Sequence, residues 1–325
     1  MLFMSLALVT VAAQTQTAAA RTAKIWTPPR ILDGQPDLQG VWSFATVTPL
    51  ERPSELVGKE ILTKEEAAEF ERDTLARRDQ DRAPRAGDPG SYNQFWYDFG
   101  RLLDNKRTSL IVDPPDGRLP ALTPEAQESA VARAEVRRRP PAGPEDRNIA
   151  ERCVLGFNSG PPMVPSQYNN YVQLFQTPGY VVILNEMIHD ARIVPLDKRP
   201  HLSPKIRQWM GDSRGHWDGD TLVVETTNFT NQARLSYDPG DAVGKADENL
   251  RLIERFTRVD PNTLKYEFTV EDPTTWTRPW TAMIPMARTD DPLYEYACHE
   301  GNYAMVGMLS GARVEEKAAE EAFKR

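Results

Sequence analysis

The sequence predicts a mainly β protein, in which an antiparallel meander closes into a barrel or a sandwich and two or three helices lie at the periphery. The first observation is a hydrophobic period of two, which begins after Tyr168. The second is the series of turn signals that separates the apolar runs, of which Asp218-Gly219 is the clearest. The third is the proline content. Proline accounts for 27 of 325 residues, and because each one removes a backbone donor, long helical arrays are disfavoured.

The N-terminus predicts an exported protein. Leu2 to Ala13 is an apolar run of the length of a signal-peptide core, and it is too short for a membrane span of ~20 residues. We therefore expect a signal peptide over residues 1–20 and a mature chain without a membrane span, in the periplasm or outside the cell. Residues 21–150 then form an N-terminal extension with two helices packed on the barrel, and residues 151–325 form an antiparallel β domain with a C-terminal helix.

Two helices are predicted in the extension and a third at the end of the chain. The first runs from Thr63 to Asp79, and Glu66 completes a capping box with the threonine at its start. The second runs from Thr123 to Arg138, with Pro124 at the first helical position. The third covers Val314 to Arg325.

The strands are predicted from short apolar runs with period two. Thr108 to Val112 is a short strand between the first two helices, and the later runs are VQLFQ, YVVILNEMIHD, ARIVPL, HWDGDTLVVETTNF, LRLIERFTRV and LKYEFTVE. In the last run the apolar side chains fall on one face and the polar ones on the other; the apolar ones are Leu264, Tyr266, Phe268 and Val270. One buried and one solvated face is typical of antiparallel sheet.

Charge and motif content exclude several classes of protein. The formal net charge is −8, and both halves of the chain carry more acidic than basic residues, so we expect no nucleic-acid partner. The four histidines do not form H-x-H or H-E-x-x-H, and G-x-G-x-x-G and the P-loop are absent, which predicts no cofactor and no metal. A metal site built from His189, His201 and His299 stays open as a lower alternative. The sequence predicts no oligomeric state.

Five segments carry a resemblance to known proteins: PDLQGVW, EMIHDARIVPL, GHWDGDTLVVETTNF, ERFTRVDPNTLKYEFTVEDPTTWTRPW and YACHEGNY. Together they resemble a family of secreted bacterial proteins, and this resemblance implies export and the handling of environmental compounds. Gly40-Val41-Trp42 is also similar to the G-x-W of the first strand in lipocalin-like (calycin) barrels. That similarity implies that the meander closes into a lipocalin-like barrel.

The two cysteines, Cys153 and Cys298, predict a disulfide, because an isolated pair in an oxidising compartment is more often bridged than bound to metal. Two buried thiols that never meet are the alternative. A bridge would hold the segment around residue 153 beside His299 and Glu300. We expect Gly160 to Pro162 to form a stiff, exposed loop that walls a cleft.

The candidate site combines histidines with carboxylates, the groups that general acid–base chemistry needs near neutral pH. The candidate catalytic residues are His189, Asp190, His299, Glu300 and Arg278. The arginine, together with Arg192, would stabilise developing negative charge. The candidate substrate-binding residues are Trp276, Trp280, Tyr168, Asn170, Arg192 and Tyr303; the tryptophans would form a stacking platform for a ring, or close the barrel end.

Three functions follow from these residues. The first is an exported, metal-independent enzyme that performs a lyase, isomerase or hydrolase step on a small sugar-derived or aromatic compound. The second is a lipocalin-like protein that binds a small molecule without chemistry. The third is a metalloenzyme that uses the histidines.

Overall fold

The structure is a computed structural model, and it describes residues 26–81, 83, 92–231 and 248–324. The signal peptide expected over residues 1–20 lies outside the described residues. The described strands are β1 (Gly40–Ser43), β2 (Ile111–Asp113), β3 (Tyr171–Thr177), β4 (Tyr180–Asn185), β5 (Ala191–Pro195), β6 (Asp212–Asp218), β7 (Thr221–Thr227), β8 (Arg251–Asp260), β9 (Thr263–Glu271) and β10 (Trp280–Thr289). The described α-helices are α1 (Lys64–Arg78), α2 (Pro124–Arg137) and α3 (Tyr303–Phe323).

The strands form one antiparallel sheet, which confirms the prediction of a mainly antiparallel β protein. Neighbouring strands follow the order β5-β4-β3-β1-β10-β9-β8-β7-β6, and β2 pairs with β10 beside this path. The N-terminal segment therefore contributes two strands to the sheet besides two helices. Its first strand lies between β3 and β10, where Trp42 is opposite Val172 on one side and Arg288 on the other.

The two end strands of this path, β5 and β6, lie against each other. Among the described residues no ladder of hydrogen bonds joins them. A Cβ atom placed on Gly215 of β6 would lie 2.7 Å from Leu196 and 2.9 Å from Val194, which are side chains of β5 and the residue after it. Such distances are shorter than carbon atoms tolerate, so glycine allows the sheet to curl until β5 and β6 are in contact. In the described residues no strand pairing closes the sheet into a barrel, so the expected choice between a barrel and a sandwich stays a prediction.

The core lies inside this curled sheet. The alternation predicted for β9 is confirmed, because Leu264, Tyr266, Phe268 and Val270 are all buried. The interior also holds residues 161–166 of the chain itself, which are buried. Met163 is fully buried there and donates its backbone N–H to the hydroxyl of Tyr266 at 3.1 Å. The expectation that Gly160 to Pro162 form an exposed loop is therefore wrong, since both prolines pack into the apolar interior.

The helices follow their capping signals with one exception. The capping box of Thr63 and Glu66 is present at α1, and Thr123 caps α2 with Pro124 in its first turn. The C-terminal helix begins at Tyr303 rather than at Val314, because the Asn302 side chain accepts from the backbone N–H of Met305 and caps an earlier turn. No helix in the described ranges is long and apolar enough to cross a membrane.

Candidate functional site

A disulfide joins two distant segments of the chain. Cys153 and Cys298 are bonded, with their Cα atoms 5.7 Å apart and 145 residues between them in sequence, which confirms the predicted bridge. The Asn302 amide donates to the backbone carbonyl of Glu151 at 2.8 Å, which fastens the two segments at a second point. The disulfide thus holds the end of the β region against the segment that enters the core.

The turn between β4 and β5 meets these segments in a strained conformation. Ile188 and His189 have φ angles of 60° and 48°, and a left-handed backbone is costly for a β-branched residue such as isoleucine. The turn is closed by a hydrogen bond of 2.9 Å from the backbone N–H of Asn185 to the carbonyl of Asp190. Strain of this kind costs about 1–3 kcal/mol per residue and is concentrated at functional sites in proteins.

Glu186 begins this turn and carries a buried carboxyl group. Its Oε1 accepts from the backbone N–H of Tyr294 at 3.1 Å, and the Asn169 side chain lies close enough to lower the pKa of the carboxyl. Its Oε2 is buried and has no hydrogen-bond partner among the described residues. Burial raises the pKa of Glu186, because a charged carboxylate is poorly solvated there, and the nearby charge of Asp98 adds to this.

Asp190 ends the turn and carries the second carboxyl group. Burial raises its pKa from 3.8 to about 6, against the opposing effects of the Gly156 N–H, the Ser159 hydroxyl and the charge of His189. The Ser159 hydroxyl donates to Oδ2 at 3.4 Å. A carboxyl group with this pKa exchanges its proton near neutral pH, which is what a general acid or base requires.

A cluster of aromatic side chains, here called the tyrosine wall, lies beside these carboxyl groups. It consists of Tyr97, Phe157, Tyr168 and Tyr296. Tyr168 stacks on Tyr296 with ring centroids 6.5 Å apart and meets the other two rings edge to face. The wall adjoins Glu186 because Tyr168 precedes Asn169 and Tyr296 lies two residues after Tyr294. Burial and neighbouring phenols raise the pKa of Tyr168, which keeps its hydroxyl protonated.

The two histidines of the predicted site are both exposed. His189 is exposed, and its charge acts on the neighbouring carboxyl of Asp190. His299 and Glu300 are exposed in the turn that follows the disulfide. The structure therefore places Asp190 beside a histidine in one half-buried turn, and the catalytic roles of His189, Asp190, His299 and Glu300 stay predictions. Tyr303 is 82% exposed at the start of α3.

The tryptophans and Arg278 lie at the other end of the sheet. Tyr171 marks the position of the turn, because its carbonyl accepts from the N–H of Glu186. Across the sheet, Tyr171 is opposite Ser43 of β1, and Ser43 is opposite Ala287 of β10. Trp280 begins β10, seven residues before Ala287. At roughly 3.3 Å per residue, the two are about 23 Å apart along the strand. Trp280 is fully buried and Trp276 nearly so, with their rings packed edge to face at 6.2 Å.

The remaining predicted residues serve as structural hydrogen-bonding groups. Arg278 pairs with Asp113 at 2.9 Å, with both side chains about half exposed. Arg192 forms a bidentate ion pair with Glu254, at 2.6 and 2.9 Å, inside the core. Asn170 is fully buried and donates to the carbonyls of Asp98 and Ser166. The Nε of Arg192 is buried and has no hydrogen-bond partner among the described residues. The catalytic role of Arg278 and the substrate-binding roles of Arg192 and Asn170 stay predictions.

No family model, no curated protein and no solved structure matches this chain. The site is therefore interpreted from its own residues.

Sequence reasoning missed Glu186 and Ser159. Glu186 is a single acidic residue between Asn185 and Met187, and only its burial distinguishes it from a surface glutamate. A usable signal was its position four residues before Asp190 within one predicted strand run, since two acids in an apolar stretch require partners.

The histidines do not form a metal centre in the described part of the chain, where no group of three or more His, Cys, Asp or Glu side chains has a suitable arrangement. His201 lies between two carboxylates instead. Its Nδ1 is 2.9 Å from Asp212 and its Nε2 is 3.3 Å from Glu225. These contacts belong to a network of ion pairs on β6 and β7, which ties the loop before β6 to the sheet.

Proposed function

We propose that the protein is an exported enzyme that moves protons on a small ring compound, with Asp190 and Glu186 as its acid–base groups. The observation that carries this proposal is the pair of desolvated carboxyl groups on one strained turn, next to the tyrosine wall. Desolvated carboxyls with raised pKa values are typical of catalytic acids and bases. A wall of stacked rings beside them supplies a surface on which a sugar or aromatic ring can lie.

The chemistry assigned to the site is a lyase, isomerase or hydrolase step without a nucleotide cofactor. Asp190, with a pKa of about 6, takes a proton from the substrate or returns one to it. Glu186 supplies a second carboxyl of raised pKa for the opposite transfer. His189 is the cationic group nearest to Asp190, and in its protonated form it stabilises negative charge that develops on the substrate.

Export is supported by two observations. The disulfide Cys153–Cys298 closes a long loop, and such bonds persist in oxidising compartments. The segments PDLQGVW and YACHEGNY resemble a family of secreted bacterial proteins. We assign the protein to the periplasm or the exterior of the cell on these grounds.

The test is a turnover screen of the purified protein against plant-derived glycosides, uronates and phenolic compounds, followed by variants on any active compound. Replacing a general acid or base costs about 10²- to 10⁴-fold in rate, so Asp190→Asn should lose at least about 100-fold in kcat. Asp220→Asn, which alters an exposed carboxylate paired with Arg30, is the matched control. Full activity in Asp190→Asn, or no turnover in the whole screen, would reject the proposal.

A second candidate function is a lipocalin-like carrier of a small molecule. Two observations favour it: the sheet curls until β5 and β6 touch at Gly215, and Gly40-Val41-Trp42 forms the first strand, as the resemblance implies. A lipocalin-like barrel would hold its ligand inside, where Met163 now lies, so this segment would have to leave. Ligand binding that leaves turnover absent and shifts the fluorescence of the buried tryptophans would support the carrier.

A further inference from the structure

The charges that act on Glu186 and Tyr171 in the proposed site are all negative. The charge that acts on Glu186 is that of Asp98, and three carboxylates act on the phenol of Tyr171: those of Asp98, Glu186 and Asp291. Tyr171 also donates its hydroxyl to Asp98 at 3.1 Å. Burial and these negative charges raise the pKa of Tyr171 to about 12. The carboxylates of Asp98, Glu186 and Asp291 therefore produce a negative potential around Tyr171, at this end of the sheet.

The carboxyl of Glu186 has one oxygen satisfied and one free. Oε1 receives the backbone N–H of Tyr294, whereas the buried Oε2 has no partner among the described residues. The residue is only 4% exposed, so the free oxygen lacks bulk water as a compensating partner. A buried acceptor without a donor is costly, and a donor that also carries positive charge compensates it best.

The buried carboxyl of Glu186 is held by the segments that carry the stacked pair of the tyrosine wall. The Glu186 carboxyl lies between Asn169 and Tyr294, and these residues flank Tyr168 and Tyr296, the stacked pair of the wall. Tyr294 itself is 68% exposed, so an aromatic face is open to solvent at this point. Aromatic faces attract cations, and a carboxylate next to them strengthens that attraction.

We propose that this site selects ring compounds that carry a positive charge, such as a protonated amine, over their neutral and anionic analogues. The proposal rests on the proposed function, because it names the substrate class of the same site. The ligand ammonium donates to Oε2 of Glu186, and its ring stacks on Tyr168. The negative potential from Asp98 and Asp291 disfavours acidic sugars and aromatic acids, although their rings would fit the same wall.

The experiment is a calorimetric titration of the full mature chain at neutral pH with three matched probes: 2-phenylethylamine, 2-phenylethanol and 3-phenylpropionate. The amine should bind at least about tenfold more tightly than the alcohol, a difference that one charge-assisted hydrogen bond can supply. The acid should bind more weakly than either. Glu186→Gln should reduce this preference for the amine to about twofold or less while the affinity for the alcohol stays the same. Tyr168→Ala should weaken amine and alcohol by the same factor.

The salt dependence of the unmodified protein provides a test that does not depend on the folding of a variant. Raising the ionic strength should weaken binding of the amine several-fold and leave the alcohol unchanged, because only the charged contact is screened. Equal affinities for amine and acid, or a preference for the amine that survives in folded Glu186→Gln, would overturn the proposal. The titration measures binding and does not depend on turnover. If the protein prefers the amine but the Asp190→Asn variant keeps full activity, the proposed function is rejected and the charge preference stands.

Discussion

The buried ion pair between Arg192 and Glu254 predicts a large loss of stability in Arg192→Leu. The two side chains are 3% and 0% exposed and are joined by two hydrogen bonds, and the Tyr266 hydroxyl donates to the same carboxylate at 2.8 Å. Removing the arginine leaves the charge of Glu254 in the core with that hydroxyl as its remaining partner. At an effective dielectric constant of about 20, unit charges about 4 Å apart attract by about 4 kcal/mol.

We therefore expect Arg192→Leu to lower the free energy of unfolding by about 3–5 kcal/mol. The measurement is urea denaturation followed by tryptophan fluorescence, with the free energy extrapolated linearly to zero denaturant. Arg278→Leu is the matched control, because Arg278 also pairs with one carboxylate, that of Asp113, but at an exposed position. An exposed pair contributes about 0–1 kcal/mol.

The double variant Arg192→Leu/Glu254→Leu distinguishes two contributions to the loss of stability: the lost attraction between the two side chains, and the cost of leaving the Glu254 carboxylate buried without its partner. Replacing both partners by apolar residues is often neutral or stabilising, so the double variant should be more stable than Arg192→Leu alone. A single variant no less stable than Arg278→Leu would refute the reasoning, as would a double variant that is less stable than the single one. Either result would mean that Glu254 is not held as a charged group by its partner.

Three further predictions concern the site and the segment inside the sheet. The raised pKa of Asp190 favours its protonated form in the folded state, so this group contributes stability below about pH 4, which is lost as the pH rises through about 6. Asp190→Asn should remove that decline from unfolding free energies measured across this range, and an unchanged pH slope would contradict the assignment. Replacing Cys153 and Cys298 together by serine should cost up to about 5 kcal/mol in the chain-entropy model and expose the turn around residue 299 to proteolysis; equal protease resistance would show that the disulfide does not hold this segment. Met163→Ala should cost about 2–5 kcal/mol in urea denaturation, because its side chain is fully buried, and a loss below about 1 kcal/mol would show that the interior is loosely filled.

The elements that local signals specify could be predicted from the sequence. The capping box at Thr63, the turn at Asp218-Gly219 and the alternation along β9 depend on residues a few positions apart, and the structure contains all three. β10 is harder to predict: Pro285 interrupts its run, and the strand is established by its register with β9, in which Pro285 is opposite Lys265. Long-range pairing of this kind cannot be predicted from neighbouring residues.

The candidate site was predictable in part for the same reason. Asp190 and the disulfide were identified from residue type, and the bridge placed Cys153 beside the segment of His299. Glu186 was missed because its burial depends on Tyr294, more than a hundred residues later in the chain. The exposed loop expected at Gly160 to Pro162 is an error of the same type, since the sequence does not show that the curled sheet encloses it.

The position of β1 between β3 and β10 makes the order of synthesis matter. Residues 41–43 pair with residues 287–289 near the opposite end of the chain, so the sheet cannot be completed until almost every residue has been made. Until then β1 can pair with β3 but lacks β10 on its other side, and an unpaired strand edge favours association with other chains. A chain of this topology therefore carries an open strand edge for almost as long as it is being made.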